Sequence, residues 1–298
     1  SAGTALNNNI ASLTINQLTF NSGASSFTIG GNGLTLGTGG IDASALSSGT
    51  ETISVAITPG AGVQRWDVAN GATLALGSLP MQYGPGGAMV FISKTGTKTT
   101  TAGDGWGWRS GPIAGTGLIG PGFAIDNGDN TYDWASAGNS GGPIVAATYT
   151  TAPNSGDAHN VRVTANVTVN PNASWASLLI SNATLTVNGT QVYIDTGIIL
   201  ENGGTLTGSR PIKANNDGLY VYVPDSGTIA SAIQNNGATA KHLYKAGPGI
   251  LNLSGNDTYS GNTIVYQGTL ALSGSATLAA SPNLILKSGS TLDVTAFP

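Results

Sequence analysis

The stretch Lys245-Ala-Gly247-Pro-Gly249-Ile-Leu251-Asn-Leu253-Ser-Gly255-Asn256-Asp257-Thr258-Tyr259-Ser-Gly261-Asn-Thr263-Ile-Val265-Tyr-Gln267-Gly268-Thr269-Leu270-Ala-Leu272 decides the reading of the chain. Leu251 and Leu253 alternate with polar neighbours, and so do Leu270 and Leu272. Alternation over a few residues, bounded by glycine and asparagine, is the pattern of short strands with one buried face. Glycines at 247, 249, 255, 261 and 268 punctuate it, as turns require.

The same punctuation extends outward. Gly31-Asn-Gly-Leu34-Thr-Leu36 and Gly71-Ala-Thr-Leu74-Ala-Leu76 end like Gly268-Thr-Leu270-Ala-Leu272. The block Ile53–Ile57, Trp66, Leu74–Leu76 is echoed in order by Ile229–Ile233, Leu243, Leu251–Leu253. Ala11-Ser-Leu13-Thr-Ile15 is echoed by Ala176-Ser-Leu178-Leu-Ile180. Self-similarity of short strands, without helical periodicity, predicts stacked rungs of about 20 residues. The expected fold is all-β: a right-handed parallel β-helix, or solenoid. A β-sandwich also has strands at short spacing. Strand shortness, the lack of long alternating runs and the repeats favour the solenoid.

This reading divides the chain into rungs over 1–80, an insertion over 81–153 and further rungs over 154–298. The insertion is rich in Gly and Pro between Gly111 and Gly122 and carries Trp106, Trp108 and Trp134, three of the five tryptophans. It is expected to form a small β or loop subdomain, since aromatics at that density argue against disorder.

With its neighbours placed, the 245–272 stretch resembles the autotransporter-associated β-strand repeat. That pattern runs Lys-x-Gly-x-Gly, then Leu-x-Leu-x-Gly-x-Asn-Thr-Tyr-x-Gly-x-Thr, then Gly-Thr-Leu. The chain departs from it at Ile250, where Thr is usual, and at Asp257, which stands for a second Asn. The resemblance implies a secreted or surface-exposed bacterial β-helix, usually part of a longer passenger or adhesin-like chain. It implies structural roles for its residues: Gly247, Gly249, Gly255, Gly261 and Gly268 for turns, Leu251, Leu253 and Leu270 for the core, and Tyr259 packed over a rung. The family carries no general catalytic residues.

Composition fits that reading. Charged residues are 8% of 298, ten Lys+Arg against fourteen Asp+Glu, net −4; an ordinary domain has about 25%. A slightly acidic chain lacks the basic field that nucleic acid requires. There is no cysteine, which excludes thiol chemistry and disulfides. Two histidines leave little for a multi-His metal centre. No apolar run is long enough for a membrane-spanning helix. No cofactor is expected.

Three motifs invite sharper readings. Gly138-Asn-Ser140-Gly-Gly-Pro143 resembles a serine-protease nucleophile loop, but both histidines, His159 and His242, follow Ser140; a base that precedes the serine is missing. Asp126-Asn-Gly-Asp129-Asn-Thr-Tyr-Asp133 offers oxygens to Ca²⁺ without the EF-hand spacing. A hairpin turn at Asn127-Gly128 is expected there. The two glutamates, Glu51 and Glu201, sit on separated rungs, so a paired-carboxylate glycosidase site is not expected. Trp106, Trp108 and Trp134 are candidates for stacking on sugar rings. Six Asn-x-Ser/Thr sequons (Asn166, Asn172, Asn182, Asn188, Asn252, Asn256) follow from the Asn and Thr content. The expected function is a non-enzymatic surface protein, structural or adhesive, whose partners are other copies of itself or glycans. A glycan-binding or glycan-cleaving β-helix is the alternative.

Overall fold

The computed structural model of the 298-residue chain describes residues 5–24, 26–77, 87–100, 118–119, 122–137, 142–151, 153, 159–170, 172–189 and 191–296. All regular structure among them is β, and nearly every strand pairing is parallel. The chain is a β-solenoid, as the short glycine-bounded strands predict. It divides into two compact units, Ser1–Ser110 with Ala114–Ala147, and Gly111–Ile113 with Thr148–Pro298.

In the second unit each turn of the chain deposits one strand on each of up to three sheets. The first sheet stacks Asn160–Val163, Ser177–Ser181, Ile198–Glu201, Gly218–Tyr222, His242–Ala246, Thr263–Val265 and Leu284–Leu286. The second stacks Val167–Val169, Thr184–Val187, Gly204–Thr207, Ser226–Ile229, Ile250–Leu253, Thr269–Leu272 and Thr291–Asp293. A third, shorter sheet stacks Asn172–Trp175, Gln191–Ile194, Ile212–Ala214 and Ile233–Gln234.

Parallel in-register pairing lines like residues into columns. Leu206, Ile229, Leu253 and Leu272 form one inward column, all buried. Each buried aliphatic side chain of this kind contributes about 1.5–3 kcal/mol. Corners repeat as well: Asn182 and Asn202 adopt φ of 49° and 53° on adjacent coils, a region that asparagine tolerates better than most residues. Polar side chains bond along the axis at another corner, where Asn215 donates to Ser174 at 3.0 Å and Asn236 donates to Asn215 at 2.8 Å.

The first unit is built the same way from two sheets. Ala5–Asn8, Thr28–Gly31, Gly49–Ile53, Ala72–Leu76 and Thr97–Thr100 stack in parallel in one. Leu13–Thr19, Leu34–Ala43, Gly62–Val68, Ala88–Ser93 and Phe123–Asp126 stack in the other. Leu18, Ile41, Trp66, Ile92 and Ile125 make an inward column. Both stacks then end on antiparallel strands: Gly142–Pro143 pairs with Thr99–Thr100, and Tyr132–Ser136 pairs with Phe123–Asp126 and then with Val145–Ala146. Reversed strands, one carrying proline at the sheet end, stop a parallel stack from continuing.

The echoes in the sequence are equivalent coils. Ile53 pairs with Leu76 in the first unit, and Ile229 pairs with Leu253 in the second. Leu13–Ile15 and Leu178–Ile180 each lie in the neighbouring sheet of their own unit.

Candidate functional site

The repeat segment 245–272 forms one full coil and the first half of the next. Its inward column in the first sheet runs Val221, Lys245, Val265, Leu286. A lysine thus stands where its neighbours are aliphatic, and it is fully buried. Its ammonium donates to the carbonyl oxygens of Gly247 at 2.6 Å, Gly249 at 2.6 Å and Gln267 at 2.8 Å. Three N–H donors meet three acceptors, which satisfies the group. Among the described residues no carboxylate pairs with it, in contrast to Arg65, which pairs with Asp67 and with Asp126. Burial pushes the Lys245 pKa down to about 7.

The spacing Lys-x-Gly-x-Gly now has a physical reason. It puts the two glycine carbonyls within reach of the lysine that precedes them. Gly247 has φ +85° and faces the Val223 backbone. Gly268, φ +68°, closes the same nest from the next coil, where a Cβ would strike the Lys245 ammonium and the Gly249 and Gly247 carbonyls. One lysine and three glycines therefore tie the two coils together.

The remaining repeat residues lie as follows. Leu251, Leu253 and Leu270 are fully buried in the second sheet. Gly255 and Gly261 lie against the backbones of Ser231 and Lys241 on the preceding coil. Tyr259 packs into the core, 2% exposed, with its hydroxyl 2.6 Å from Thr263 Oγ1. Asp257 is buried beside it. One carboxylate oxygen accepts the Ile233 N–H at 2.7 Å and the other has no partner. Burial raises the Asp257 pKa to about 7.

Other candidates resolve differently. Trp106, Trp108 and Ser140 lie outside the described residues. Trp134 is fully buried, so its ring presents no open face for stacking. Asp126, Asp129 and Asp133 bond the turn they flank: Asp126 accepts the Gly128 N–H and pairs with Arg65, Asp129 accepts the N–H and hydroxyl of Thr131, and Asp133 accepts from Asn127 Nδ2. This is the hairpin expected at Asn127-Gly128, with φ +81° at Gly128. No group of three His, Cys, Asp or Glu side chains converges among the described residues. Glu51 and Glu201 are buried in different units; Glu51 accepts the N–H groups of Ser26 and Phe27 at 3.1 and 2.8 Å. No helix is long and apolar enough to cross a membrane.

The sequence reading missed Lys245 as a site residue. It also missed two analogues. Lys98, buried in the first unit, donates to the carbonyls of Ser93, Thr95 and Gly96. Lys241 donates to those of Asn215 and Asn216. The signal lay in the Lys-x-Gly-x-Gly spacing, which only makes chemical sense once the ammonium is seen to turn inward.

The coil that carries this lysine and its glycines is also where the chain is similar to a known family. Residues 243–272 match the family described as Passenger-associated-transport-repeat. A stretch of 99 residues, 33% of this chain, is 38% identical to the Adhesin BmaC autotransporter of Brucella suis biovar 1 (strain 1330) and covers 2% of that protein. No solved structure matches the chain significantly. The protein is autotransporter-passenger-like, and it spans a small fraction of the length of the relative it matches.

Proposed function

We propose that the chain is a non-enzymatic, surface-exposed solenoid whose task is adhesive or structural. The observation that carries this is the outward face of the second sheet. Thr184, Thr205, Thr228, Asn252 and Ala271 form one column there, and Thr168, Thr186 and Thr207 form another. The first unit repeats the arrangement with Thr50, Thr73 and Thr97, beside Thr28, Thr52, Ala75 and Thr99. These are flat neutral surfaces of hydroxyls and methyls on a stiff scaffold. They suit extended contact with a neutral partner, a glycan or another copy of the chain, more than the turnover of a substrate. The passenger-type repeat and the adhesin named as a relative support the same reading.

The test is display of the chain on the surface of a non-adherent bacterium. Retention on glycan-coated surfaces and on host cells would be counted against a strain displaying an unrelated solenoid. Equal retention by both strains rejects the adhesive role. Sedimentation of the purified chain tests self-association: growth of the particle with concentration supports it, and a constant monomer rejects it.

A further inference from the structure

Of the buried lysines Lys98, Lys241 and Lys245, Lys245 in the second unit and Lys98 in the first each end on three backbone carbonyls and on no carboxylate. Lys245 meets three oxygens at 2.6–2.8 Å. Lys98 meets those of Ser93, Thr95 at 2.8 Å and Gly96 at 3.2 Å. Convergent neutral carbonyls repel one another unless a cation sits among them.

Backbone hydrogen bonds hold the Lys245 nest alongside the lysine. The Gly249 N–H donates to Val223 O at 3.0 Å, and Gly249 O also accepts the Thr269 N–H at 3.1 Å. Ile250 N donates to Asp225 O at 2.8 Å and Tyr266 N to Lys245 O at 2.8 Å. Inter-coil ladders of this kind, and the positive φ of Gly247 and Gly268, set the path of the backbone that carries these carbonyls.

We propose that the carbonyl oxygens of Gly247, Gly249 and Gln267 form a binding site for a dehydrated monovalent cation of ammonium size, which the chain fills with its own Lys245. The ligand class follows from the donors. They are neutral oxygens without a carboxylate, unlike the charged sets that hold calcium, and three acceptors match N–H donors of an ammonium group. The Lys98 nest is the same device in the first unit. The lysine acts as a tethered cation, bound at no cost in concentration.

The test is Lys245→Ala in the full chain, unfolded by urea in choline, potassium, ammonium or methylammonium chloride at one ionic strength. The variant is expected to be destabilised in choline. Its folding equilibrium constant should rise roughly tenfold in excess ammonium or potassium, as binding to the folded state alone requires. The native chain and the exposed-lysine control Lys94→Ala should show no such preference. A variant that responds no more than the native chain overturns the proposal. So does one that stays unfolded in every salt, because the nest then does not exist without the side chain. Lys245→Met fills the space without charge. It is expected to be less stable than the native chain in every salt and blind to ammonium. Native-like stability of Lys245→Met would show that the carbonyls need no cation, and would also overturn the proposal.

Discussion

The ammonium of Lys245 lies 2.6 Å from the carbonyl oxygen of Gly249, four residues further along the chain. Between them the backbone leaves the first sheet, turns at Gly247 and enters the second. The bond therefore braces a corner from inside. Through Gln267 the same ammonium reaches the corner of the next coil. Below its lowered pKa of about 7 the Lys245 amine is a charged donor; a hydrogen bond from a charged donor contributes more than a neutral one, about 1.5–3 kcal/mol, and three acceptors share this one.

Gly268→Ala should be far more damaging than Gly203→Ala. Both glycines have positive φ, +68° and +78°, which costs a residue with a Cβ about 1–2 kcal/mol. Nothing lies within 4 Å of a Cβ at Gly203, whereas at Gly268 it meets the Lys245 ammonium and two carbonyls. Urea midpoints should fall modestly for Gly203→Ala and by several-fold more for Gly268→Ala.

Asp257 makes stability depend on pH. Its folded pKa is raised from 3.8 to about 7 by burial. Between those values the folded chain holds a proton that the unfolded chain has released. Stability therefore falls as pH rises through this window, and the full cost is present above the folded value. The size is on the order of 4 kcal/mol at 1.36 kcal/mol per unit. Asp257→Asn keeps an acceptor for the Ile233 N–H and removes the charge. Denaturation at pH 4.5 and pH 8 should show the variant gaining on the native chain at the higher pH; an unchanged difference counts against the assignment.

Leu251→Ala empties a fully buried position in the column that also holds Gly227, Leu270 and Leu292. A loss of about 2–5 kcal/mol is expected. Thr205→Ala, on the outward face of the same sheet, should change stability by less than about 0.5 kcal/mol. Calorimetry on the two variants separates inward from outward residues.

Tyr259→Phe removes the hydroxyl next to Thr263, whose own Oγ1 stays 3.0 Å from Ser281. The ring packing remains and Thr263 keeps a partner. The expected loss is about 1 kcal/mol, the net value of one hydrogen bond. A loss as large as that of Leu251→Ala would mean that the hydroxyl organises the corner.

Much of the fold was legible because a solenoid is local in pattern. Leu251 and Leu253, bounded by Gly249 and Gly255, declare an inward face and its turns within seven residues. The echo of Ile53 to Leu76 in Ile229 to Leu253 marks one coil, since register pairing makes each coil repeat its neighbour. The hairpin at Asn127-Gly128 was legible for the same reason: its signal is two residues long.

What the sequence could not show is where a polar residue points when it breaks the pattern. Nothing in the sequence marks Lys245, Lys98, Glu51 and Asp257 as buried, yet each is; the three in strands take inward places in the alternation, and Asp257 sits at a corner. The fate of their charges depends on carbonyls and N–H groups supplied by other turns, such as Gln267 for Lys245, or Ser26 and Phe27 for Glu51. Sequence alone determined that this chain folds as short parallel rungs, because strand alternation and glycine corners are set by neighbours along the chain. Only the tertiary structure decided that its repeat is an internal ammonium clamp, because the oxygens that receive the proton donors converge only when one coil lies upon the next.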